Sequence, residues 1–250
     1  MNSIRNILQV LPMIIALSCS ILANDFSASA ILDSMMSTMQ SVSSIGRIEQ
    51  EIISSGNIKR VFTYEHFSDN YGENVLIRYI EPRKVKNNAF LIKNSGDDIW
   101  IYFPRTRRVR KLASHAKKQK AQGSDFSYED FSRSKKWETD YHVKKVDSGE
   151  RTTYLLTFTR KKDSDASYES QKIFVDKKNY YPHRIQYFQD GGHLKTLRFS
   201  DVINIQGYPT AKSMIMENHI EKSKTQMRIL EMDYNVKFEK DFFTERNLKK

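Results

Sequence analysis

The stretch Asp98-Ile-Trp-Ile-Tyr-Phe-Pro-Arg-Thr-Arg-Arg-Val-Arg-Lys-Leu112 predicts a β-hairpin. Residues 99–103 are β-branched or aromatic throughout, which is typical of a strand, and a second short run follows at residues 108–112. Between them, residues 104–107 contain the proline and polar side chains of a turn. The two strands of a hairpin pair antiparallel, so the surrounding fold is expected to consist of antiparallel neighbours.

Similar β-forming runs continue on both sides of the hairpin, starting near Ile45. They occupy residues 60–67, 75–80, 89–93, 141–146, 152–160, 171–176, 183–188, 194–203, 210–220 and 226–236. Short connections separate them, as in an antiparallel meander, and no strand–helix alternation indicates a parallel sheet. We therefore expect a single domain, residues 24–250, mainly β with a few helices (α+β). A sheet of about 11–13 strands usually curls, so an incomplete barrel is predicted.

Two helices are predicted outside the strands. Residues 28–41 place Ile31, Leu32, Met35, Met36 and Met39 at helical spacing on one side, after a possible N-cap at Ser27 or Ser29. We expect this amphipathic helix to cover the mouth of the barrel.

The second helix is predicted at residues 124–131, after a polar, basic loop at residues 113–123. Ser127 and Asp130 stand three residues apart there, which is the spacing of a capping box.

The N-terminus has the pattern of a secretory signal peptide over residues 1–23. Arg5 is the only charge before Asp25, and a short apolar run at residues 7–17 is followed by a small residue at Ala23. The apolar run is shorter than a membrane-spanning helix needs, although an uncleaved anchor is an alternative. Cys19 leaves a lipid-anchored N-terminus open as a further alternative. Export with cleavage after Ala23 is the prediction.

The positive charge is concentrated in one part of the chain. The sequence has 41 Lys and Arg against 30 Asp and Glu. Residues 82–120 hold 12 of these cations and two acids, whereas the remainder of residues 24–250 contains 28 of each. The hairpin contributes the densest group: Arg105, Arg107, Arg108, Arg110 and Lys111. A localised field of this kind attracts anionic partners. In an exported protein these are anionic lipid head groups, other anionic envelope polymers or acidic protein surfaces, and no nucleic acid is expected. A solvated edge hairpin is the alternative interpretation.

No catalytic or metal-binding motif is present in the sequence. It lacks His-Glu-x-x-His, a Gly-x-Ser-x-Gly nucleophile elbow and glycine-rich phosphate loops, and one Cys excludes a multi-cysteine metal site. The doublets Asp97-Asp98 and Glu129-Asp130 fit a turn and a first helical turn. We therefore predict no catalytic residues, no metal and no cofactor.

Several side chains are candidates for lining an apolar cavity inside the barrel. They are the helix residues given above, together with Trp100, Tyr102, Met214 and Met216. Methionine is flexible and polarizable, so it suits cargo of variable shape, although it more commonly fills gaps in a core.

The hairpin and the downstream Gly123-Ser-Asp-Phe-Ser-Tyr-Glu-Asp130 resemble the signature of the outer-membrane lipoprotein-sorting protein family, which is LolA-like. The start of the predicted mature chain resembles that family too, as do Tyr181-Pro182, Asp190-Gly-Gly192, Phe199-Ser-Asp201 and Phe242-Phe-Thr244.

The resemblance implies a periplasmic carrier with an incomplete β-barrel lidded by helices. It also implies lipoprotein or lipid cargo, and possible partners are an inner-membrane transporter, an outer-membrane acceptor and, transiently, an anionic membrane surface. Two alternatives stay open from the residues alone: an exported enzyme acting on envelope lipid, and a basic surface-binding or adhesion protein.

Overall fold

The computed structural model describes residues 26–132 and 135–250, without the side chain of Lys135. The predicted signal peptide and Cys19 lie outside these residues. Within them, no helix is long and apolar enough to cross a membrane.

In the described residues thirteen antiparallel strands form one sheet, within the predicted range of about 11–13. Their bounds are β1 Ser44–Ile53, β2 Lys59–Asp69, β3 Asn74–Glu81, β4 Ala89–Lys93, β5 Asp98–Phe103, β6 Arg108–Lys111, β7 Tyr141–Val146, β8 Thr153–Arg160, β9 Ser170–Asp176, β10 Pro182–Gln189, β11 Gly192–Ile205, β12 Tyr208–Asn218 and β13 Ser223–Tyr234. The strand order is β6-β5-β4-β3-β2-β1-β13-β12-β11-β10-β9-β8-β7. Strands β6 and β7 are the two edges, so the sheet is not closed. The predicted incomplete barrel is confirmed.

The first helix, α1, spans Ala28–Met39 and ends two residues earlier than predicted. Ser27 is its N-cap, because the Ser27 hydroxyl oxygen accepts a hydrogen bond of 3.2 Å from the Ala30 amide. Ile31, Leu32 and Met35 are fully buried. The helix packs against β12, β7 and β8, and it thereby spans one side of the sheet.

The sheet buries its inner face, defined here as the face that packs with α1, and, over β2 to β6, its outer face as well. The inner face carries the main core, which includes Ile99 and Ile101 of β5. The opposite, outer face carries a second apolar cluster over β2 to β6. The C-terminal segment covers that cluster with four side chains: Phe238, Phe242, Phe243 and Leu248.

A long connection joins the two edges of the sheet, from β6 to β7. We call residues 112–132 and the short helix α2, Lys135–Asp140, the crossover segment. It crosses the inner face, where Phe126 and Tyr128 join the main core.

The prediction of a helix at residues 124–131 is wrong. Only Glu129–Phe131 forms a single 3-10 turn there. The backbone before it is held in another conformation, because the Asp125 amide donates to the Thr225 hydroxyl of β13 at 2.9 Å. The predicted reciprocal pair is nevertheless present. The Ser127 amide donates to Asp130 Oδ2 at 2.7 Å, and the Asp130 amide donates to Ser127 Oγ at 3.2 Å.

Candidate functional site

A cavity of about 320 Å³ lies between the inner face of the sheet, the crossover segment and the end of α1. Its walls include four methionines and ten aromatic side chains. The volume is at the small end of the range of about 300–1,000 Å³ that is typical of ligand pockets. A predominantly apolar, half-open cavity of this kind suits an apolar ligand.

The methionines reach the cavity from three elements. Met39 ends α1, Met214 lies on β12, and Met227 and Met232 lie on β13. Met227 and Met232 are five residues apart, so strict alternation would place them on opposite faces. The β1–β13 ladder has a register shift: Arg47 pairs with Glu231 and Ile48 with Ile229, so Leu230 is an extra, bulged residue. This bulge returns Met232 to the inner face.

Gly46 of β1 makes room for Met232. The two residues are register partners, and a Cβ atom at position 46 would lie 2.8 Å from Met232 Cε. This contact is shorter than side chains tolerate, so glycine at this position allows the methionine to lie along the cavity wall.

Two of the nine predicted cavity residues, Met39 and Met214, are in the cavity wall. Four more belong to the main core without lining the cavity: Ile31, Leu32, Met35 and Met216. Met36 packs partly buried against the same core. The inner side of α1 is thus used for packing against the sheet, and only its last residue borders the cavity.

Trp100 and Tyr102 lie on the outer face, away from the cavity. Successive strand residues point to opposite faces, and Ile99 and Ile101 occupy the inner one. Trp100 and Tyr102 therefore pack in the cluster under the C-terminal segment.

The crossover segment is the main cover of the cavity, and two buried carboxylates anchor it. The first is Asp125, which is 3 % exposed. It accepts hydrogen bonds from the Ser223 hydroxyl at 2.6 Å and from the Thr225 hydroxyl at 2.8 Å. Both partners lie on β13, so this contact holds the segment onto the middle of the sheet.

The second anchor is Asp130. Its carboxylate forms an ion pair with Lys195 of β11 at 2.6 Å, in which both side chains are 5 % exposed. It also accepts a hydrogen bond from the Tyr168 hydroxyl at 2.8 Å. The Lys195 ammonium lies 4.9 Å from the Tyr168 ring centroid and 5.2 Å from that of Tyr187. This network connects the cover to both walls of the cavity.

Neighbouring acids serve tertiary contacts of the same segment. Glu129 accepts hydrogen bonds from the amide and the hydroxyl of Ser167. Asp97 pairs with Lys136 of α2 at 2.6 Å, which brings α2 to the turn before β5. The interpretation of Glu129-Asp130 as a first-helical-turn doublet is therefore incomplete, because tertiary partners account for both carboxylates.

Tyrosine hydroxyls supply most of the neutral polar groups of the wall. Burial raises the pKa of Tyr141 to about 12 and raises those of Tyr64, Tyr168 and Tyr187 further above the ordinary value. All four hydroxyls are thus protonated at neutral pH. They therefore place no negative charge in the cavity.

The basic hairpin stands at the β6 edge. Arg105, Arg107, Arg108 and Arg110 are exposed, and none of them pairs with an acidic side chain in the described part of the chain. Lys111 differs, because it pairs with Asp98 at 2.5 Å and lies 5.3 Å from the Trp100 ring centroid. The hydrogen bond from Lys111 lowers the pKa of Asp98, and one from Asn94 lowers it further.

Residues 26–132 and 135–250 contain no group of three or more His, Cys, Asp or Glu side chains arranged to hold a metal ion.

The fold is that of the LolA superfamily. A candidate outer membrane lipoprotein-sorting protein domain from Vibrio parahaemolyticus superimposes with a TM-score of 0.80 at 24% identity, covering 88% of this chain and 97% of that one. A LolA superfamily protein from Nitrosomonas europaea gives 0.74 at 20% identity, with 89% and 100% covered. A DUF1329 family protein from Desulfovibrio piger gives 0.79 at 23% identity, with 88% and 98% covered.

The chain belongs to a family whose model is described as an uncharacterized protein and matches residues 72–250. No curated protein gives a significant match. The predicted resemblance to LolA-like proteins is confirmed for the fold.

Proposed function

We propose that this protein is a periplasmic, non-enzymatic carrier. It holds the acyl chains of lipoproteins, or other lipid-like cargo, in the cavity under the crossover segment and moves them toward the outer membrane. The observation that carries the proposal is the cavity itself, which is half-open to solvent and lined by methionines and aromatic rings. The fold supports it, since one structural relative is described as a candidate lipoprotein-sorting domain.

The cavity chemistry suits a flexible chain. Each methylene transferred from water to an apolar site contributes about 0.8 kcal/mol, so about ten methylenes give a gross gain of about 8 kcal/mol. Methionines adapt to chains of different length and branching at little cost. Cargo larger than the present volume requires the cover to move outward, and the anchors at Asp125 and Asp130 set how readily this occurs.

The test compares two glutamate substitutions on neighbouring strands. Met214→Glu places a charge in the wall at a partly exposed position, whereas Leu230→Glu places one on the exposed side of β13. Native mass spectrometry of protein isolated from the periplasm is expected to show retained acyl chains in the wild type and in Leu230→Glu, and none in Met214→Glu. Equal amounts of retained acyl chain in the two variants would show that the cavity does not hold the cargo. Turnover of a bound lipid by the wild type would favour the alternative of an envelope-lipid enzyme.

The basic hairpin is proposed as the docking surface for an anionic partner, either an acidic transporter or acceptor protein or a membrane surface. Near an anionic membrane each cation contributes about 1 kcal/mol, so replacing Arg107, Arg108 and Arg110 with Ser is expected to weaken docking by about 3 kcal/mol at low salt. That loss corresponds to roughly 100-fold in affinity.

The matched control for the hairpin has the same change in net charge. Lys178, Lys212 and Lys222 are exposed and lie after β9, on β12 and before β13. These strands are distant from β6 in the strand order, so replacement of the three lysines by Ser keeps the hairpin intact. Association with anionic vesicles, measured at two salt concentrations, is expected to fall only in the hairpin variant. Equal losses of binding in both variants would favour the alternative interpretation, in which the hairpin is a solvated edge with no docking role.

A further inference from the structure

One part of the cavity wall contains a buried acceptor that the protein does not satisfy. Gln171 of β9 borders the cavity and is 4 % exposed. Its register partners, Phe158 and Tyr187, flank it on both sides. The Gln171 Oε1 atom has no hydrogen-bond partner in the described part of the chain. Buried carbonyl oxygens almost always have a donor, so a group from outside the chain is the natural partner.

The Tyr141 hydroxyl cannot be that donor. It already donates to the Tyr168 carbonyl oxygen at 3.2 Å. A tyrosine hydroxyl has a single proton to donate, so Gln171 Oε1 is left available to a ligand.

Negative charge predominates in the ionisable groups of the cavity wall. Glu129, Asp130 and Asp140 border the cavity, and Lys195 compensates the charge of Asp130. Lys136 is the one Lys or Arg among the described wall residues. The Lys136 ammonium is engaged by Asp97, 2.6 Å away. Glu129 and Asp140 lie close enough to Tyr141 for both to raise its pKa, in addition to the effect of burial. A negatively charged ligand would be repelled by Glu129 and Asp140, and poor solvation of this part of the cavity would strengthen the repulsion.

We infer that Gln171, Tyr141, Glu129 and Asp140 form an acceptor site for the polar end of the cargo, which must carry a hydrogen-bond donor and no negative charge. This inference rests on the proposed carrier function and specifies its cargo class: an acyl chain that ends in an amide N–H, a hydroxyl or an amine. The site disfavours free fatty acids, because a carboxylate offers Gln171 no donor and adds charge beside Glu129 and Asp140. Gln171 is thus a specificity-determining residue.

The experiment uses the mature protein and four probes with the same 14-carbon chain. These are N-methyl tetradecanamide, monomyristoylglycerol, methyl myristate and myristate, and binding is measured by displacement of a fluorescent apolar dye. The amide and the glyceride are expected to bind about tenfold or more tightly than the ester, which has no donor. Myristate is expected to bind more weakly still. Myristate binding as tightly as the amide, or the ester matching both donor-bearing probes, would overturn the inference.

Two glutamine variants assign the selectivity to one atom. Gln171→Met keeps the size of the side chain but removes its acceptor, so the amide-to-ester ratio is expected to fall toward one while ester binding is retained. Gln186→Met changes a glutamine of β10 that does not border the cavity, and it is expected to leave the ratio unchanged. An unchanged ratio in a folded Gln171→Met protein would overturn the assignment, and the probe series on the wild type decides the selectivity even if this variant fails to fold.

The outcomes separate the two proposals. If none of the four probes binds, the carrier function itself fails. If all four bind alike, the carrier function stands and the acceptor site fails. A peptide acylated at its N-terminus that binds far more tightly than monomyristoylglycerol would identify the source of the donor as an acylated protein, and the reverse would identify a lipid.

Discussion

Replacing Lys195 with Met removes the cation from the buried ion pair that anchors the crossover segment. Asp130 would keep its hydrogen bonds from the Tyr168 hydroxyl and the Ser127 amide, but its charge would be uncompensated at 5 % exposure. Breaking one side of a buried pair typically costs about 3–5 kcal/mol. For a domain of this size, each kcal/mol shifts the melting temperature by about 2–4 °C, so a fall of roughly 6–20 °C is expected.

The control is an ion pair of similar chemistry in solvent. Arg47 and Glu231 pair at 3.3 Å with side-chain exposures of 46 % and 69 %. Glu231→Gln is therefore expected to cost under about 1 kcal/mol. The double variant Lys195→Met, Asp130→Leu removes both buried charges and is expected to be more stable than Lys195→Met alone, because no unpaired charge remains.

Thermal melts measure the loss of overall stability, and native-state hydrogen exchange measures the opening of the crossover segment. The amides of Asp125 and Ser127 are hydrogen-bonded within the anchor region, so their exchange should accelerate in Lys195→Met more than that of β2 or β3 amides. A melting temperature no lower than that of Glu231→Gln would show that Asp130 does not depend on Lys195. Uniform acceleration across the sheet would show that the crossover segment does not open separately.

Three further predictions concern the cavity, its tyrosines and the N-terminus. Gly46→Leu should push Met232 into the cavity, lower the binding of an apolar dye and cost about 1–3 kcal/mol of stability, measured by urea unfolding. The control Gly56→Ala should change neither dye binding nor stability, because its added Cβ would meet only a side-chain oxygen at 3.9 Å. Because the pKa of Tyr141 is raised by burial to about 12, the unfolded state loses this proton first; stability should fall as the pH rises from about 10 to 12, and Tyr141→Phe should flatten that fall in pH-dependent unfolding. N-terminal sequencing of the exported protein should begin at Asn24 or within a few residues of it, and an acylated start at the preceding cysteine would indicate a tethered carrier instead.

Local chemistry in the sequence was sufficient to predict most elements of the fold. Residues 99–103 and 108–112 form the two strands of the hairpin because β-branched, aromatic and turn residues act over a few positions. Ser27 caps α1 for the same local reason. The repeated short runs have short connections, which can join antiparallel strands but are too short for the crossovers of a parallel sheet.

The tertiary structure alone decided which apolar residues line the cavity. Alternation separates Trp100 and Tyr102 from Ile99 and Ile101, but over β2 to β6 both faces of the sheet are apolar, because the C-terminal segment covers the outer one there. The sequence pattern therefore could not show which face was the inner one. The residues of α1 gave no better guide, since packing against the sheet leaves only Met39 at the cavity.

The cover and the polar part of the site depended on contacts distant in sequence. Asp130 and Lys195 are 65 residues apart, and Asp125 finds its partners about 100 residues away on β13. These contacts override the local preference of residues 124–131 for a helix, because buried carboxylates need partners more than a short helix needs its hydrogen bonds. Sequence alone thus determined the strands, the first helix and the basic hairpin. The unclosed sheet and the bulge at Leu230 created the cavity, and only their three-dimensional arrangement brought Gln171, Tyr141 and the methionines to its wall.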